Sequence, residues 1–145
     1  MKRTLGLAVA VVVAAIVATA GPATATARSG ELHVTKECSQ YDGTVGSFCT
    51  ITSSNINTIR PGMRVTYLQA PAEGVLDADI VLSFEHGSAA SGHVLLDLTT
   101  AQGRVTFSGG TGRFTHFTAD AVVSVDSAGV WHWDGTYSFT GSDGE

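Results

Sequence analysis

The sequence predicts an all-β fold, a single eight-stranded antiparallel, up-and-down β-barrel. Three observations carry that prediction. Apolar and polar residues alternate in short runs from Leu32 onward, at the period of a half-buried strand, and after position 27 no helical period is long enough to compete. Turn-forming residues punctuate these runs at short, regular spacing, as in Arg60-Pro61-Gly62, Pro71-Ala72-Glu73-Gly74 and Ser127-Ala128-Gly129. Finally, hairpin follows hairpin, and sequential antiparallel strands hide their edges best by closing on themselves; a two-sheet sandwich is the competing solution.

Residues 1–27 are expected to be a secretory signal peptide. Lys2-Arg3 precede the almost wholly apolar Leu5–Ala20, Gly21-Pro22 break a helix, and Ala25-Thr26-Ala27 supplies small residues for cleavage. A membrane anchor needs about 20 apolar residues and a different flank. Residues 28–145 are then one secreted, extracellular β-barrel domain, with no membrane association after cleavage. Of the 8 basic and 13 acidic residues in the chain, only Lys2 and Arg3 precede position 28. Six basic residues therefore face 13 acidic ones in that domain, a net charge of −7 that disfavours nucleic acid as a partner.

Taken in order, Leu32-His33-Val34-Thr35 alternates as a strand, and Cys38 and Cys49 then flank the turn-forming Tyr41-Asp42-Gly43-Thr44. An exported chain with two cysteines points to a Cys38–Cys49 disulfide, stabilising by roughly 3 kcal/mol if it only restricts the unfolded chain. Phe48–Ser54 forms the next strand. Arg64–Ala70 follows, with Val65, Tyr67 and Gln69 on one face. Asp79–Glu85 places Ile80, Leu82 and Phe84 inside, and Val94, Leu96 and Leu98 continue the inward face after the His86–Gly92 loop. Val105 and Phe107 lead into Gly109-Gly110-Thr111-Gly112, read as a tight structural turn because glycine takes positive φ at no steric cost.

The last two strands permit a register prediction. If Ser127-Ala128-Gly129 is a three-residue loop, Val125 pairs with Trp131, Val123 with Trp133, Ala121 with Gly135, Ala119 with Tyr137 and Phe117 with Phe139. Every inward position is then apolar or small. A slip of one residue exchanges the faces completely.

Phe107-Ser108-Gly109-Gly110-Thr111-Gly112-Arg113-Phe114 resembles the glycine-turn motif of dirigent proteins and of allene oxide cyclase barrels. Together with Cys49-Thr50-Ile51-Thr52-Ser53-Ser54-Asn55 and Trp133-Asp134-Gly135-Thr136-Tyr137, it is similar to small secreted bacterial proteins of the allene oxide cyclase-like barrel group. The resemblance implies a calycin-like eight-stranded barrel that binds apolar small molecules and steers cyclisation or coupling, often as a trimer. It assigns no catalytic residue here.

The residues themselves offer little chemistry. A phosphate loop needs Gly-Lys-Ser/Thr and a following helix, whereas a strand-like Arg-Phe-Thr-His-Phe-Thr follows Gly112. His86 and His93 bracket one loop and could approach each other, but Glu85 points to the opposite strand face, so no metal site is expected. His116 and Asp120, like His132 and Asp134, fall outside. Strand parity places no carboxylate, imidazole or guanidinium mid-strand in the interior. The interior is instead aromatic: Tyr67, Phe84, Phe107, Phe117, Trp131, Trp133, Tyr137 and Phe139. The first seven are candidate ligand-binding residues. Ala119, Ala121 and Gly135 beside them are either room for a tryptophan ring or the floor of a cavity.

The expected function is binding of an apolar small molecule in the barrel, without cofactor. The alternatives are a dirigent- or cyclase-like isomerase and a pocketless structural or interaction module. Val81, Leu95, Val122 and Phe114 are expected to face outward, where they could support a homo-oligomer such as a trimer.

Overall fold

The computed structural model describes residues 28–140; the expected signal peptide lies outside the described residues. Eight strands run in order: β1 (Arg28–Glu37), β2 (Phe48–Ser54), β3 (Arg64–Tyr67), β4 (Val75–Ser83), β5 (Ala89–Asp97), β6 (Gln102–Gly110), β7 (Phe117–Val125) and β8 (Trp131–Phe139). Each pairs antiparallel with the next, and β1 pairs with β8, so the sheet is a closed barrel. Closure leaves no free edge for a further strand. The register of β7 on β8 is the one expected, from Val125–Trp131 to Phe117–Phe139, with Gly129 left-handed at φ 81°.

The core follows from the alternation. Leu32 and Val34 of β1, Cys49 and Ile51 of β2, Ile80 and Leu82 of β4, Val105 and Phe107 of β6, and Phe117, Ala121 and Val123 of β7 are all buried. One end of the barrel is plugged by side chains from connections: Ile56, Ile59 and Met63 between β2 and β3, and Phe114 between β6 and β7. Around Phe114 the rings stack onward, with centroids 5.3 Å apart to Phe117, 5.7 Å from there to Phe107 and 5.5 Å from Phe107 to Trp133. That half is solid.

Several expectations are corrected where a strand ends sooner than the alternation suggests. Phe84 follows the last residue of β4 and is exposed, not interior; Leu98 follows β5 and is 41% exposed, though it still lines an interior cavity; Gln69 lies beyond β3 and is exposed. Phe114, expected outside, is buried because Gly112–Phe114 forms a single 3-10 turn that tucks its ring under the barrel. Gly109 to Gly112 is consequently not a tight reversal. Gly109 (φ 126°) and Gly110 belong to β6, where the β5–β6 register shifts, and the chain turns over residues 111–116.

On the outer wall, Leu95 and Val122 are exposed as expected, while Val81 is half-buried. Arg104 stands between Leu95 and Val122 in the register of β5, β6 and β7 and pairs with Asp120, so the two apolar side chains do not form a continuous patch.

Candidate functional site

The end of the barrel opposite that plug holds the site. Parity explains its central residue: β1 points Leu32 and Val34 inward, and two residues further on the same face carries Lys36. Beside it β2 has one extra residue, with Thr35 opposite Ser53 but Lys36 opposite Ile51. This bulge puts Thr52 and Ser53 both on the outside, hydrogen-bonded to Thr35, and keeps Cys49 and Ile51 on the inward face next to Lys36. Lys36 is only 4% exposed.

Its surroundings are aromatic and nearly devoid of polar partners. Lys36 Nζ donates a hydrogen bond to Tyr67 Oη at 2.5 Å, its one hydrogen bond among the described residues, and it forms no ion pair there. The Nζ lies 5.2 Å from the ring centroids of Tyr67 and Trp133 and 5.9 Å from that of Trp131. Burial pulls the ammonium's pKa down to about 7. Three ring faces favour the charged form, but at 5.2–5.9 Å they stand near the outer limit of about 6 Å for such contacts and act weakly. A shift of this size corresponds to about 5 kcal/mol, so burial wins. Burial also pushes the Tyr67 phenol well up, with Tyr41 adding to it.

The loop between the cysteines closes over this end. Cys38 and Cys49 form the expected disulfide, and Tyr41 packs edge-on against Tyr67 at 4.8 Å. Among the described residues, neither the buried Tyr41 hydroxyl nor the buried Trp133 Nε1 has a hydrogen-bond partner. Between these groups lies a cavity of about 60 Å³, lined by Lys36, Tyr41, Tyr67, Trp131, Leu76, Leu96, Leu98 and the disulfide. A larger depression of about 200 Å³ lies along β7 and β8 at residues 118–120 and 136–138. Its only charged group, Asp120, is exposed and paired with Arg104, so the smaller cavity is the better candidate.

The expected ligand-binding residues divide accordingly. Tyr67 and Trp131 line the cavity; Phe107, Phe117 and Trp133 are packed core; Tyr137 is half-buried away from it, and Phe84 lies outside the interior altogether. Ala119, Ala121 and Gly135 are not the floor of this cavity. A side chain at Gly135 would run into the Asp120 carbonyl and Ala121 Cα, so that patch is close backbone packing. Lys36, Tyr41, Leu76, Leu96, Leu98 and the Cys38–Cys49 disulfide line the cavity without having been expected as ligand-binding residues.

The histidines are all on the outer surface or in loops. His93 sits between Asp77 and Asp79 at 2.6 and 3.0 Å rather than against His86, and His33 lies between Glu31 and Asp134 at 3.3 and 2.8 Å. Hydrogen bonding to Asp79 and to Asp134 respectively raises the two imidazole pKa values. Among the described residues, no three His, Cys, Asp or Glu side chains are placed to hold a metal.

Fold and site together define a class: a closed antiparallel barrel with a buried amine at its disulfide-capped end. Compared with family models, curated proteins and solved structures, the chain finds no match.

Proposed function

We propose that this chain is a secreted small-molecule-binding barrel, and that its ligand has an apolar body and one hydrogen-bonding group that meets Lys36 and Tyr67. Lys36 carries the proposal. An amine without a counter-ion inside an apolar barrel costs several kcal/mol relative to a packed aliphatic side chain, and groups held at such cost cluster at functional sites. Tyr41, whose hydroxyl has no hydrogen-bond partner among the described residues, lines the same cavity and supplies a second phenol there. The disulfide accords with an oxidising, extracellular location.

The cavity sets the ligand's size. Drug-sized sites enclose about 300–1,000 Å³, so 60 Å³ admits only a few non-hydrogen atoms. At no more than about 1.5 kcal/mol per atom, a four-atom ligand binds no tighter than tens of micromolar. Titration with millimolar 1-propanol is the direct test. The indole N–H signal of Trp131 in the NMR spectrum should shift saturably, and Leu96→Phe, which fills the cavity, should abolish the response. An unsaturable shift in the wild type, or an unchanged one in Leu96→Phe, would reject the site.

The resemblance to cyclase-like barrels supplies a second reading, an isomerase, and the site adds one observation in its favour. An amine titrating near neutrality beside a phenol is the equipment that general acid–base catalysis requires. Recovery of a bound small molecule chemically changed by wild-type protein, but unchanged by Lys36→Met, would select this reading over simple binding.

A further inference from the structure

We propose that Lys36 captures small aliphatic aldehydes covalently, condensing with the carbonyl carbon to form a Schiff base inside the barrel. The inference rests on the binding site described above and names the chemistry of its occupant. Three features of the geometry point to it. Lys36 lines a cavity large enough for about three carbons and an oxygen, with Leu76, Leu96 and Leu98 to contact the alkyl chain. The amine faces the Tyr67 hydroxyl and the Tyr67, Trp131 and Trp133 rings, with Tyr41 and the disulfide also lining the cavity, and among the described residues no carboxylate pairs with it as an ion. The Tyr67 hydroxyl, already hydrogen-bonded to Nζ, is placed to donate a hydrogen bond to an oxygen developing beside it.

In the neutral amine the nitrogen lone pair attacks the carbonyl carbon. The C=O π pair moves to oxygen, which takes up the proton released by nitrogen, giving a carbinolamine. Loss of that hydroxyl with a second nitrogen proton as water leaves the C=N bond. One amine and one aldehyde thus give one imine and one water, with no oxidant or reductant. About half of Lys36 is neutral at pH 7, whereas an ordinary lysine amine is neutral about once in 2,500. Water exclusion from the apolar lining disfavours hydrolysis of the product.

The sequence makes the test clean. Lys2 and Lys36 are the only lysines, so beyond residue 27 the sole competing amine is a chain terminus. Protein is incubated with propanal and sodium cyanoborohydride, which traps an imine as a secondary amine, and the adduct is located by peptide mass mapping. Propylation of Lys36 at pH 7 should be at least about tenfold faster in the native protein than in urea, where the amine regains its ordinary pKa. Leu96→Phe, which fills the cavity, should suppress the native labelling. Labelling confined to the terminus, or equal or slower at Lys36 in the native state than in urea, overturns the proposal. If 1-propanol still shifts the Trp131 signal in that case, the binding site survives and only the covalent chemistry falls; if neither occurs, both fall.

Discussion

At the scale of single residues, Lys36 makes the sharpest claim about stability. Its folded pKa is about 7 against an ordinary 10.5. Below pH 7 folded and unfolded chains both hold the proton, and the full cost of burying the charge, about 5 kcal/mol, is present. Between about pH 7 and 10.5 the unfolded chain binds more protons, so stability rises with pH until the cost is gone. Lys36→Met should therefore stabilise the protein by a few kcal/mol at pH 6, and the gain should shrink towards pH 10. Urea denaturation of both proteins at the two pH values measures this; a destabilised variant, or a difference independent of pH, would contradict it. His33 and His93 act in the opposite sense, since a raised imidazole pKa gives stability that is present in acid and lost as pH rises through the folded value. Both stay in the variant and cancel in the comparison. The signal for Lys36 is present in the sequence, because the parity of Leu32 and Val34 extends to it. A census of inward carboxylates, imidazoles and guanidiniums passes over an amine, and a lysine next to Glu37 looks like a solvated strand end.

Among the elements, legibility tracks how local the determining contacts are. The β7–β8 hairpin is readable in full, since a three-residue loop with glycine at its left-handed position fixes every pair that follows. The β6–β7 connection is not, because its shape depends on Ala89, Ala90 and Ser88 of a different hairpin. A Cβ at Gly110 would collide with the Ala89 carbonyl and crowd Phe114, and one at Gly112, already left-handed at φ 57°, would meet Ser88. Gly110→Val and Gly112→Val should each cost about 2 kcal/mol or more. Gly30→Ala, where the nearest atom is an ordinary contact 3.5 Å away on Tyr137, should change stability by no more than about 0.5 kcal/mol. Thermal unfolding of the three variants measures this, and wild-type melting temperatures for both valine variants would refute the geometry. The same distance from local cause explains the exposed side chains at two strand ends. Phe84 and Leu98 lie one residue past their strands, and alternation carries no information on where a strand stops.

For the molecule as a whole, the barrel is legible from punctuation and period, whereas the division of its interior into a solid half and a hollow end is not. Which rings meet depends on shear and on side chains from connections, such as Ile56, Ile59, Met63 and Phe114, that no strand pattern describes. The seam between β1 and β8 has a consequence in time. Every pair across it joins residues at least 95 positions apart in sequence, from Lys36–Trp131 to Arg28–Phe139, whereas β7 and β8 meet across a short loop. The entropy of closing so long a loop is recovered only by contacts the seam itself provides, which places the seam late along the folding route. Leu32→Ala, at the seam, should thus accelerate unfolding and leave the folding rate nearly unchanged, while Val123→Ala in the β7–β8 hairpin should slow folding. Stopped-flow rates in urea giving the reverse assignment would overturn that order. Lys36 lies on the seam strand, opposite Trp131. The step that shuts the ring is then also the step that takes the amine out of water, and the cavity does not exist before the last strand is in place.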